Sequence, residues 1–132
     1  MEDSVSEYLQ MIQLVIQRMA NNSFLAKGWS VSLVAFLTAL RGHGLGGVVV
    51  SFLPALAFWG LDAYYLRQER LFRALYNDVV RKMAAKQPFT CFNMDTSPYH
   101  REVGSLFQTL FCPSVVAVHG CVLSAVIFSC FM

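Results

Sequence analysis

Hydrophobic and polar positions change period several times along this chain, and each change marks an element. Val5, Leu9, Ile12, Ile16 and Met19 recur at gaps of four, three, four and three, with Glu7, Gln10, Gln13 and Gln17 off the stripe. That spacing predicts an amphipathic helix over 4–20, packed on another helix or lying in a lipid interface. Asn21-Asn22-Ser23 then predicts a break and a fresh helix start, because all three are good N-caps. Residues 24–40 are apolar except for Lys27 and the hydroxyls Ser30, Ser32 and Thr38. At ~1.5 Å per residue this stretch reaches about 25 Å, enough to cross a hydrocarbon core with help at its ends. Lys27 can snorkel and Trp29 suits a headgroup belt, so both are expected as interface anchors.

The run 41–47 holds four glycines in six residues and predicts a hairpin turn. Its glycine spacing carries no phosphate-loop meaning, since no strand precedes it and no Lys-Ser/Thr follows. Residues 48–61 make a second span with Pro54 inside it, which predicts a kink, and Trp59 near its exit as a third anchor. No Gly or Pro lies between Gly60 and Pro88. The span is therefore expected to continue as one helix to residue 84, with Leu61, Tyr65, Phe72, Tyr76, Val79 and Met83 on its packed face. Glu69–Arg73 and Asp78–Lys82 are acid-before-base pairs at four residues. Residues 85–113 read as a loop and a short helix capped by Thr96 or Ser97, with Phe89 and Phe92 pinning the loop. Residues 114–132 carry no charge over about 28 Å of helix at the same rise, a third span. The expected fold is an all-α membrane protein in one domain: a transmembrane helical hairpin, a cytoplasmic helical extension and a C-terminal transmembrane helix.

Composition agrees. The chain is 56% hydrophobic and only 14% charged, with mean hydropathy +0.50, against about 25% charged in soluble domains. A net charge of +2 is too weak to argue for nucleic acid. Placement of charge is more informative. Seven of the ten Lys and Arg residues fall in 62–113, one in the turn, and two (Arg18, Lys27) near the start. The positive-inside rule then predicts that the N-terminus and central segment are cytoplasmic and that the turn and the C-terminus lie outside. The acidic start has no basic, apolar leader, so no cleavage is expected. Cys91, Cys112, Cys121 and Cys130 lack metal or redox spacing and are expected to be free.

Catalytic chemistry finds no support. His43, His100 and His119 do not cluster with Cys or carboxylates, so no metal or cofactor is expected, and no Ser-His-Asp arrangement is legible. Ionisable groups inside a span are functional candidates. Asp62 and His119 qualify, and with Pro54 they form a candidate gate or hinge. The bland expectation for His119 is a neutral imidazole bonding another helix. For Asp62 it is pairing with Lys27 or Arg67. A small efflux transporter would need a carboxylate deep in a span, which no residue supplies. Arg67, Arg70, Arg73, Arg81 and Lys82 are the candidate partner-binding residues.

The stretches M-A-N-N-S-F-L-A-K-G-W (19–29), L-D-A-Y-Y-L-R-Q-E-R-L-F-R-A-L-Y-N-D-V (61–79) and F-N-M-D-T-S-P (92–98) resemble a group of small bacterial membrane proteins. These are the accessories of phage-defence loci, among them the RADAR accessory, the type VI-B CRISPR accessory and the two-helix SLATT effectors. The resemblance implies a non-enzymatic effector or accessory that homo-oligomerises in the lipid bilayer and perturbs it. The alternative it leaves open is an anchor that recruits or regulates a soluble defence protein on the cytoplasmic side. Two departures stand out: the glycine-rich turn, and the lack of the C-terminal soluble domain that SLATT effectors often carry. The second implies that a partner supplies the trigger.

Overall fold

A computed structural model describes residues 1–41 and 45–132. The described residues are all-helical, with no β-strand among them. Two forty-residue helices, α1 (Glu2–Arg41) and α2 (Leu45–Ala84), form an antiparallel hairpin. Both are long and apolar enough to cross a membrane by length and composition. A one-turn 3₁₀ segment (Ser97–Tyr99), α3 (His100–Val103) and α4 (Leu106–Leu110) return along α2, and α5 (Pro113–Phe128) closes a three-helix layer.

The continuous second helix is as expected, and it passes Pro54 without ending. The break at Asn21–Ser23 is not there: the 4–20 and 24–40 segments are one helix. α2 packs beside α1, and Ser23, instead of capping, turns its hydroxyl to Asp62. Tertiary contact thus outweighs a local preference of about 1 kcal/mol. The predicted turn is also narrower. Gly46 and Gly47 belong to the first turn of α2, where amides lack helical partners anyway and glycine costs less. Gly42, His43 and Gly44 lie outside the described residues. The third helix runs over sixteen residues, Pro113–Phe128, not 114–132.

Two apolar clusters hold the hairpin. The first joins Tyr8, Ile12, Leu75 and Val79, with Phe89, Cys91, Met94 and Tyr99 laid over it. Phe89 therefore pins the loop as its sequence suggested, and Phe92 adds a tilted ring contact on Tyr8 at 5.8 Å. The packed face of α2 is Leu71, Leu75, Asp78 and Val79; Phe72 and Tyr76 are half-buried beside it, and Leu61 and Met83 are exposed. The rotation follows from the loop covering one flank of α2 that the hairpin alone would leave open. The second cluster is Val34, Ala55, Val122 and Val126, where α5 meets both long helices, flanked by Val48, Phe52 and Leu123.

Local rules explain the connections. α2 ends in a Schellman pair of bonds, Lys86 N to Met83 O at 3.1 Å and Gln87 N to Lys82 O at 2.9 Å, with Lys86 left-handed and Pro88 just beyond. Thr96 makes no side-chain cap on the 3₁₀ segment. The cap that forms is further on: Ser105 and Gln108 make a reciprocal capping box on α4. Gly104 sits at φ +86°, where an added Cβ would stand 2.2 Å from Gln108 Oε1. Gly104→Ala should therefore cost about 1–2 kcal/mol through strain and loss of the box, seen as faster amide exchange across 105–112.

Candidate functional site

The candidate site is built where α1, α2 and α5 meet. On α1, Ser23, Lys27 and Ser30 stand at i, i+4 and i+7, one polar stripe on a helix that is otherwise apolar here. α2 brings Asp62 and Trp59, and α5 brings His119. Asp62 is fully buried and His119 is 1% exposed. Asp62 Oδ1 accepts from Lys27 Nζ at 2.7 Å and from the Ser23 hydroxyl. Asp62 Oδ2 faces His119 Nε2 at 2.9 Å. Lys27 also donates to Ser23 Oγ at 3.1 Å, and the far ring nitrogen of His119 meets Ser30 Oγ at 3.5 Å.

A carboxylate only accepts, so His119 Nε2 carries the proton donated to Asp62. In the neutral ring Nδ1 then accepts from Ser30. Trp59 lies parallel to the imidazole at 6.4 Å, and its Nε1 donates to the Leu110 carbonyl at 3.0 Å. That bond ties the site to the end of α4. With Lys27 cationic and Asp62 anionic the cluster sums to zero, and every buried polar group in it has a partner. Such a network is stable only when fully satisfied.

The sequence marks Asp62 and His119 as candidates with no sign that they touch; the fold puts them in hydrogen-bond contact. Asp62 pairs with Lys27 as one expectation had it, while Arg67 turns away and donates to the Gly104 carbonyl at 3.0 Å. His119 bonds both other helices, through Asp62 on α2 and Ser30 on α1. Asp62 has no exposed surface, because three helices close over it. Pro54 is half-buried on α2, one residue before Ala55 of the second apolar cluster. Trp29 points outward, Trp59 points inward, and Lys27 keeps a 21% exposed side chain. Ser23 and Ser30 were missed as site members, although their spacing with Lys27 was a readable signal.

The basic residues of α2 are largely engaged within the chain. Arg70 reaches Cys112 Sγ at 3.0 Å, and Arg73 pairs with Glu69 at 2.7 Å. Lys82 pairs with Asp78 at 2.8 Å, and Arg81 bonds the same carboxylate. Both expected i, i+4 pairs are present. Asp78 also accepts from the Tyr99 hydroxyl at 2.9 Å, which fastens the 85–99 loop. The bond from Lys82, helped by Tyr99 and Arg81 and opposed by burial, holds Asp78 below the usual carboxylate range. Burial, then the bond to Asp78, pushes Tyr99 up to about 12.

The signs follow. Asp78's contribution is complete above ~3.9 and fades as pH falls below it; Tyr99's is complete below ~10 and fades as pH climbs through the folded value. Loop protection should be flat between these limits. An ultraviolet titration should lose its last-titrating tyrosinate in Tyr99→Phe. A loss of an ordinary one near ~10 would contradict the bond.

The four cysteines are free, and no cluster of metal-ligating side chains is present among the described residues. No family model matches the chain, and no curated protein or solved structure is found to be similar to it.

Proposed function

We propose that this chain is an integral protein of the bacterial inner membrane, acting without enzymatic chemistry as a homo-oligomeric effector or accessory of phage defence that perturbs or permeabilises the bilayer. One observation carries the membrane reading: the side chains are sorted inside out. Phe24, Trp29, Phe36, Leu40, Leu45 and Leu53 face outward. Ser23, Ser30, Ser51, Asp62 and His119 face inward. Water penalises that arrangement, whereas lipid favours it, because a bilayer solvates apolar surface and forces polar groups to pair internally. α5, at about 24 Å, is short against a core of ~30 Å and would span by local thinning. The Lys and Arg asymmetry supports a cytoplasmic N-terminus and central segment.

Association of copies is supported by a groove of about 780 Å³ between α1 and α5, lined by small residues including Ala35, Ala39, Ala117 and Ala125. The defence role rests on the three motifs quoted above. Resistance to alkaline extraction tests the membrane reading, and membrane potential during phage infection of cells carrying the intact locus tests the effector reading. An unchanged potential would remove permeabilisation.

A second reading is an anchor that recruits a soluble partner without conductance. It is favoured by a groove of about 550 Å³ at the N-terminal end of the hairpin, lined by Met1, Val5, Leu9, Gln13, Tyr76 and Met83. Val5→Glu should then abolish defence while leaving membrane insertion intact.

A further inference from the structure

We propose that the buried chain Lys27–Asp62–His119–Ser30 is the inner half of a proton path through the three-helix layer, closed by an apolar plug and resumed at Ser51. The proposal rests on the membrane reading above and names the species that would move.

Three features lead to it. The first is continuity. From the partly exposed ammonium of Lys27 inward, each member touches the next: Lys27 to Asp62 at 2.7 Å, Asp62 to His119 at 2.9 Å, His119 to Ser30 at 3.5 Å. Imidazole and hydroxyl each both donate and accept, as a relay requires.

The second is the plug. Beyond Ser30 the same interface is filled by the apolar side chains of Val34, Ala55, Val122 and Val126. The third is Ser51. It shares the buried face of α2 with Ala55 and Asp62, eleven residues or about 16 Å from the carboxylate. Its hydroxyl is buried and has no partner. An unmet buried hydroxyl costs about 1–3 kcal/mol. Water admitted past the valines would supply its partner.

The step balances. A proton delivered through Ser30 binds His119 Nδ1 and makes imidazolium. The Nε2 proton passes to Asp62 Oδ2; Lys27, the partly exposed member, releases a proton to water at the rim and takes the carboxyl's proton in its place as the carboxyl turns to present it, which restores ammonium and carboxylate. No other bond changes, and return of the ring to its first tautomer resets the site. The facing groups are few: α1 presents Lys27, α2 presents Asp62, and α5 presents His119. α4 reaches Trp59 through Leu110 and carries no ionisable side chain, and Arg67 and Arg70 are engaged with Gly104 and Cys112. A hydrated metal cation would meet the Lys27 charge and then the valine layer, whereas a proton needs only a hydrogen-bonded file.

The test uses the full chain in liposomes of phosphatidylethanolamine and phosphatidylglycerol, with a trapped pH dye and, in parallel, potassium release. Val34→Thr/Val122→Thr keeps the shape of the plug while wetting it. It should raise proton entry roughly tenfold over the unsubstituted chain, equal to about 1.4 kcal/mol off the barrier, with potassium release unchanged. Adding Asp62→Asn or, as a second route if that variant misfolds, His119→Gln should return proton entry to the empty-vesicle rate.

Equal potassium and proton leak, survival of the flux in both relay variants, or no gain in the wetted variant would each overturn the proton path. If the chain floats with the vesicles and resists alkali in those cases, the membrane reading stands alone. If it does not float, the membrane reading falls and the path with it.

Discussion

Asp62→Ala should destabilise the folded chain by about 3–5 kcal/mol, the range for removing one partner from a buried charged pair. The variant strips Lys27, Ser23 and His119 of a shared acceptor at once. Lys27, 21% exposed, can swing partly toward water. His119 cannot, and is left with only the long contact to Ser30. α5 is thus the element that loosens most, since its polar attachment to the hairpin runs through that imidazole. Asp62→Leu combined with Lys27→Met should be milder than Asp62→Ala, because replacing both charges by apolar groups leaves no orphan. Thermal unfolding of detergent-solubilised protein, followed by circular dichroism, reads both. An unchanged midpoint for Asp62→Ala would mean the cluster contributes nothing to the fold.

Leu53→Asp is expected to have the second largest effect, by a different route. Leu53 is 68% exposed and touches no buried cluster. In water an exposed Leu→Asp change lies within about 0.5 kcal/mol of neutral. On a lipid-facing helix the same carboxylate costs about 2.5–3.5 kcal/mol near the bilayer centre. Phe36→Asp, on the outward face of α1, should behave alike, while Gln87→Asp in the exposed connection should do nothing. Alkaline extraction of membranes separates the cases. If Leu53→Asp and Phe36→Asp both fractionate like the unsubstituted chain, the outward belt faces water and the membrane reading is wrong.

Most of the helical architecture was legible in residue order. The uninterrupted stretch from Gly60 to Pro88 announced that α2 would not stop at Asp62, and the 3.6-residue stripe of Val5 to Met19 announced the first helix. The misreadings share a cause. Asn21-Asn22-Ser23 looks like a cap only while nothing lies beside it; with α2 alongside, Ser23 has a better partner. The face of α2 was misjudged by about one position because the 85–99 loop folds back over Leu75 and Val79, and no periodicity within α2 reports a segment that arrives from outside it. The basic residues of α2 are mostly paired within the chain: those with Glu69 and Asp78 were readable as i, i+4 or i, i+3 neighbours, whereas the bonds of Arg67 to Gly104 and Arg70 to Cys112 lie at distances only the fold reveals.

By itself, then, the amino-acid order determined the all-helical class, the unbroken second helix, two apolar runs in a hairpin and the ionisable residues worth watching. Those properties are local: they follow from spacing, length and the residues that start and stop a helix. Only the tertiary structure decided that Asp62, Lys27, Ser23, His119 and Ser30 form one network, that Trp59 turns inward onto it and that Ser51 is left alone beyond the valines. Which side chains meet across an antiparallel pair and a third helix depends on register and rotation, and a shift of one residue in either would turn every one of these groups toward a different neighbour.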